Sequence, residues 1–207
     1  MMGPCRIAFT SVLLAGFLGW TGAAPAQQGT VSRANQETFR NLLVSASEAM
    51  QREQLVESER LFNEALRMQP QSKDARFGMG ALFIKQGRYA EAIRLLERLM
   101  EEFPNEFPVL NNLAWLYATA GDPAIRDGGR AVELAQEALL LQPNNFHVWN
   151  TLSEGHYVSG DYDRAVRAAQ EAVRLAREAR IDRNRINEYL EQVEKCRRAA
   201  EAMKILE

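Results

Sequence analysis

Cysteine and histidine are scarce: the 207-residue chain has two of each, Cys5 and Cys196, His147 and His156. So small a supply excludes a disulfide framework and most metal sites built from imidazole and thiolate. Charge of one sign is also missing. Lys and Arg number 25 against 27 Asp and Glu, a net charge of -2, so no broad basic field draws nucleic acid or an acidic membrane, and no nucleic-acid partner is expected. Long apolar runs are missing but for one, Ile7 to Trp20, of 14 residues. Crossing a bilayer as a helix takes ~20, so no transmembrane span is expected in the mature chain. The rest of the composition, 46% hydrophobic and 25% charged, is that of one globular domain with a real core.

That single apolar run has a particular setting. Residues 1–26 hold one base, Arg6, and no acid; the run follows, then Thr21-Gly22-Ala23-Ala24-Pro25-Ala26. A basic start, an apolar middle and a small-residue exit are the parts of a secretory signal peptide. Cleavage is expected after Ala26, since a cut after Ala24 would leave Pro25 at the new terminus. The alternative, an uncleaved anchor, is disfavoured by the run's length. No cysteine stands at the exit of the run, where a lipid-bearing mature N-terminal thiol would be expected. The expectation is an exported protein, periplasmic or secreted. The mature chain keeps one thiol, Cys196, and must stand on packing alone.

Proline is rare in the remainder but regular. Pro70, Pro104 and Pro143 are 34 and 39 residues apart, and each follows an amphipathic stretch such as Leu61–Leu66, Leu95–Met100 or Leu134–Leu139. Proline cannot continue a helix, so each one punctuates a helix end. Small residues fall in columns with the same period: Ser58, Ala92, Ala131 and Ala165 in one, Ala46, Gly80, Ala114 and Ser153 in the other. Two small residues per unit let antiparallel helices approach closely where they cross. Large apolar groups, Leu42, Leu110 and Trp149, fill the space beside them. Units of helix, turn and helix at this period are stable only when stacked.

Trp149-x-x-Leu152-Ser153 with Gly160-Asp161-Tyr162-Asp163-Arg164-Ala165 and Ala172 resembles a tetratricopeptide repeat, as does Gly87-Arg88-Tyr89-Ala90-Glu91-Ala92 with Pro104. The resemblance implies an all-α fold, a right-handed α-solenoid of four helix hairpins plus a C-terminal capping helix. The expected organisation is residues 1–26 signal peptide, 27–38 linker and start of the first helix, and 39–181 repeats (39–72, 73–106, 107–145, 146–179), then 182–207 the cap. Three units depart from the pattern, the fourth because it lacks the closing proline and its second helix runs on toward Arg180. The first has Glu53-Gln54-Leu55 where the turn glycine belongs. The third is longer by five residues, because Leu110 to Ala131 spans 21 where Trp149 to Ala165 spans 16. The insertion, Gly121 to Gly129, lies between its two helices, and Asp122-Pro123 predicts a short extra turn there.

After Asp182, a candidate cap, Ile186, Tyr189, Leu190, Val193, Cys196, Ala200, Met203 and Leu206 form one stripe at helical spacing. Arg183, Glu191, Glu194, Arg198 and Glu201 take the opposite face. That is the pattern of a terminal cap, apolar inward and charged outward. Nine helices account for the chain.

Convergent catalytic groups are missing, so no catalytic residue, metal or cofactor is assigned. There is no His-Glu-x-x-His, Cys-x-x-Cys or Gly-x-Ser-x-Gly. Gly78-Met79-Gly80 has no strand before it and reads as packing. His156 falls on the core side of its helix. His147 shares a face with Asn150, Glu154 and Tyr157, a constellation that an enzyme or enzyme subunit could use. The run Arg174, Arg177, Arg180, Arg183 and Arg185 is interleaved with acids and reads as a solvated surface.

The tetratricopeptide resemblance implies a concave face lined by the first helix of each pair. On this chain that face takes Phe77, Ala81, Ile84, Lys85, Asn111, Asn112, Trp115, His147, Asn150, Thr151, Glu154 and Tyr157. Rings give rigid contact area and amides meet backbone groups, so the expected ligand is a protein or peptide. Relatives that grip a terminal carboxylate need several bases on these columns, and here only Lys85 and Arg40 qualify. Trp115 has two open readings, in the groove or under the insertion. A scaffold or adaptor of the cell envelope, monomeric or weakly self-associating, is the function implied.

Overall fold

The computed structural model describes residues 33–206. The predicted leader and most of the linker lie outside them. Within them are nine α-helices and no strand: α1 Arg33–Gln51, α2 Leu55–Met68, α3 Lys73–Lys85, α4 Tyr89–Glu102, α5 Phe107–Thr119, α6 Gly128–Leu141, α7 Phe146–Val158, α8 Tyr162–Glu178 and α9 Arg183–Leu206. The chain is all-α and built of tetratricopeptide-type hairpins. It falls into two compact units, one containing α1–α4 and the other α5–α9.

In the α1–α4 unit the core joins Leu43, Ala46, Phe62, Ala65, Ala75, Met79 and Leu82, each at most 5% exposed. The small columns meet as their spacing requires. Ser58 on α2 donates its hydroxyl to the Ala46 carbonyl on α1 at 2.9 Å. An added Cβ on Gly80 would stand 3.0 Å from Leu96, and one on Gly78 2.3 Å from the Phe62 ring. Both glycines therefore serve packing, as expected of Gly78-Met79-Gly80. Arg76, nearly buried, forks onto Glu102 at 2.7 and 2.6 Å and links the start of α3 to the end of α4.

The α1–α2 turn shows how this unit manages without its glycine. Gln54 N–H bonds Ala49 O and Glu53 N–H bonds Met50 O, the paired closure of a left-handed helix end. Glu53 supplies the left-handed residue at φ 59°, where the α3–α4 turn has Gly87 at 74°. Lys85 helps hold the turn, because its ammonium bonds Met50 O at 3.2 Å and the Glu53 carboxylate.

In the α5–α9 unit, Leu110, Leu113, Leu116, Leu134, Ala138 and Val148 are at most 2% exposed. A second cluster, Ala169, Ala172, Val173, Ala176, Tyr189 and Val193, seats α9 on α8. Side-chain caps start three of these helices: Asp127 accepts from Arg130 N–H, Asn145 from His147 and Val148 N–H, and Asp161 from Arg164 N–H. Such a cap contributes about 1 kcal/mol. The insertion makes two successive three-residue-span bonds, Ile125 N–H to Asp122 O and Arg126 N–H to Pro123 O, and Asp127 N–H ties it back to Tyr117 O at 2.9 Å. Pro143 ends α6 after Gln142, whose φ of -138° is repeated at Gln69 before Pro70, the extended backbone that a following proline favours.

Candidate functional site

The first helices of the pairs carry the residues singled out from sequence. On α3, Ala81 and Ile84 are buried at 1% and 3% exposure, and Phe77 is half-buried. Lys85, the one clear base of the set, is engaged in closing the α1–α2 turn. These four residues belong to the α1–α4 unit. The other eight lie on α5 and α7 of the second unit, where the structure brings the two helices together: Thr151 Oγ1 stands 3.4 Å from Asn111 Oδ1 on α5 and 3.1 Å from His147 O on α7, its single proton shared between the two acceptors.

Burial orders that face. Asn111, Asn112, Asn150, Thr151 and Glu154 are nearly sealed, whereas Trp115, His147 and Tyr157 are half-buried. Two sealed amide atoms have no hydrogen-bond partner, Asn112 Nδ2 and Asn150 Oδ1. Both sit on first helices, and one is a donor where the other is an acceptor.

At the far side the face meets α9, whose part in the site the sequence reading missed. Tyr189 Oη lies 2.8 Å from His147 Nδ1. Gln192, 2% exposed, directs its amide to Ser153 Oγ at 3.4 Å and Cys196 Sγ at 3.5 Å. Lys195 Nζ is 2.7 Å from Glu154 Oε2 and 4.2 Å from the centroid of the Tyr157 ring. Tyr189 and Cys196 stood on the predicted stripe. Gln192 and Lys195 flank it, and two polar residues beside a capping stripe are the only sequence signal of these contacts.

The electrostatics follow from this enclosure. Burial, with the Arg185 charge adding to it, pushes the His147 imidazole down to about 4 and keeps it neutral. Burial also lowers His156, raises the Cys196 thiol and pushes the Tyr189 phenol up to about 12. His147 and Glu154 thus each have a partner on α9. Among the described residues no group of three or more His, Cys, Asp or Glu is placed to hold a metal ion, and no helix is long and apolar enough to cross a membrane. Of the basic run, Arg174 is bound by Glu171 and Glu178 along α8. A shallow groove of about 450 Å³ beside it, between α8 and α9, has Val173, Leu190 and Val193 among its lining residues.

Comparison with known proteins agrees with the hairpin geometry. The family model described as tetratricopeptide repeat matches residues 49–116. No curated protein sequence matches the chain. Among solved structures, MamA (41-end) from Desulfovibrio magneticus RS-1 superposes with a TM-score of 0.60 at 14% identity, over 82% of this chain and 95% of that one. TTC0263, a thermophilic TPR protein in Thermus thermophilus, gives a TM-score of 0.58 at 18% identity, over 78% and 91%. A Thermobaculum terrenum O-GlcNAc transferase mutant gives a TM-score of 0.61 at 24% identity, over 72% of this chain but 27% of that one. At these identities the likeness is one of fold.

Proposed function

We propose that this tetratricopeptide-repeat protein is an interaction scaffold, not an enzyme, and that it holds a partner protein by an extended segment laid against α5 and α7. The observation that carries the reading is the pair of sealed, unpartnered amide atoms, Asn112 Nδ2 and Asn150 Oδ1. A peptide group offers the complement of both, a carbonyl to accept and an N–H to donate. An unmet buried polar group costs roughly 1–3 kcal/mol, so each of the two calls for a partner, and a peptide bound at this face can supply both. The half-buried Trp115 and Tyr157 supply rigid apolar area beside the amides.

The second reading, an enzyme or accessory subunit working through His147 and Glu154, has less support. The imidazole is bonded to Tyr189 and the carboxylate to Lys195, so the two groups serve α9 and not each other. A place in the envelope or outside the cell rests on the leader chemistry of residues 1–26. Intact mass of the protein from its native host tests this: cleavage of the leader gives a chain starting at Gln27, and a mass retaining Met1 contradicts export by cleavage. For the scaffold itself, the full chain should be cross-linked to partners captured from the native envelope fraction. Cross-links mapping to α5 and α7 are expected; cross-links confined to other helices would overturn the assignment of the face.

A further inference from the structure

Glu154 is 6% exposed. A carboxylate at that depth without a cation would carry a heavy desolvation cost. The face of an aromatic ring attracts the same kind of charge, so Glu154 and Tyr157 together make a seat for a cation. Lys195 fills it, touching one carboxylate oxygen at 2.7 Å and standing 4.2 Å from the ring centroid. The lysine side chain is itself 37% exposed against 8% for that of Glu154, so the cation is the solvent-facing member of the pair.

The helix that carries Lys195 does not need it for anchorage. Tyr189, Val193 and Cys196 hold α9 in the core at 1%, 4% and 0% exposure, and Tyr189 has its own bond to His147. A flexible four-carbon stem can therefore swing out while α9 stays docked. Glu154 and Tyr157 follow Asn150 by four and seven residues, which puts all three on one face of α7.

We propose that Glu154 and Tyr157 form a recognition site for a primary alkylammonium, the lysine side chain of a partner segment, and that Lys195 occupies it as an internal competitor until the partner arrives. The identity of the ligand as a partner's lysine rests on the peptide-binding reading of α5 and α7. The seat itself does not. A compact ammonium suits the single-oxygen contact, whereas a guanidinium is built to claim both carboxylate oxygens at once.

The test uses the full chain and n-butylammonium chloride as the probe, with n-butylguanidinium as the comparison and sodium chloride holding ionic strength constant. Lys195→Ala empties the seat and should bind butylammonium at least about tenfold more tightly than the unsubstituted protein. The gain should disappear in Lys195→Ala/Glu154→Gln and be smaller for butylguanidinium. No gain in Lys195→Ala, or a gain that survives Glu154→Gln, overturns the proposal. A second measurement needs no variant: the ζ-ammonium resonance of Lys195 in the unsubstituted protein should move toward that of free lysine as butylammonium is added. A resonance that stays fixed throughout the titration also overturns it. Failure of peptides to bind α5 and α7 would leave both results untouched, so the two readings fail separately.

Discussion

The Ser58 hydroxyl donates to the Ala46 carbonyl at 2.9 Å across the crossing of α1 and α2. Ser153 makes the same bond to Ala165 at 2.9 Å across α7 and α8, with the serine now on the first helix of the pair. Both serines are 0% exposed. Each hydroxyl spans a crossing where the column elsewhere holds only alanine or glycine. Ser58→Ala should therefore cost only about 1 kcal/mol, the net value of one hydrogen bond. Ser58→Leu should cost several times that, by forcing the helices apart. Denaturant midpoints of the two variants check this, and equal losses would show that the crossing is not tight.

The left-handed turn residues make a second contrast. Arg180 closes α8 at φ 52° through Arg180 N–H to Arg177 O and Ile181 N–H to Ala176 O, as Gly160 closes α7 at 79°. Side chains disfavour that conformation by roughly 1–2 kcal/mol. Arg180→Gly, at an exposed site, should raise the melting temperature, and Gly160→Ala should lower it. Glu53→Gly should gain less than Arg180→Gly, since it also removes the carboxylate paired with Lys85. A drop in stability for Arg180→Gly would mean that its side chain holds the turn.

At the start of α6 two adjacent glycines differ sharply. A Cβ on Gly128 would fall 2.4 Å from Ser159 Oγ, 2.7 Å from Ser159 N and 2.9 Å from Gly155 O, whereas one on Gly129 meets nothing nearer than 3.4 Å. Two of the Gly128 clashes are with backbone, which cannot turn aside. Gly128→Ala should destabilise by about 1–3 kcal/mol, and Gly129→Ala should be neutral or gain up to about 1 kcal/mol from its helical position. Thermal unfolding of the pair decides it; similar melting temperatures would contradict the close approach of α6 and α7.

Acid should weaken the fold through His147. Its imidazole stays neutral down to about 4 in the folded protein, against an ordinary 6.5. The unfolded chain therefore binds the extra proton throughout that window. Stability is fully present above pH 6.5 and declines as pH falls toward about 4, by on the order of 3 kcal/mol. His156 acts in the same direction. Urea unfolding across this range should show a shallower decline for His147→Gln, which cannot titrate. Identical profiles would place the acid sensitivity elsewhere.

Much of this was legible in the sequence because helix packing is periodic. Proline spacing located the ends of α2, α4 and α6, and the small columns located the crossings that Ser58 and Gly80 occupy. The α9 stripe was legible as far as Ala200, 8% exposed, but Met203 beyond it is 42% exposed, because hydrophobic spacing continues whether or not a neighbour is there to cover it. Margins were harder to read. A stripe separates inside from outside, yet does not say which polar residue at its edge reaches a neighbouring helix. Gln192 and Lys195 were passed over for that reason. Lys85 shows the converse: its position pointed to a ligand, while its charge closes a turn lacking the usual glycine.

Whether the amides of Asn112 and Asn150 are kept for a peptide backbone is decided by one paired measurement. A peptide selected from a random library on the full chain would be titrated against Asn112→Leu and Asn150→Leu, with the exposed Glu137→Ala as control, and the melting temperature of each protein recorded. Replacing an unmet buried amide by an apolar group of similar size removes a cost to the free fold. Melting temperatures of the asparagine variants should equal or exceed that of the unsubstituted protein, with affinity weakened at least about tenfold for each and unchanged for the control. Asparagine variants that bind the peptide as tightly as the control, or that lose stability together with binding, would contradict that role for the amides.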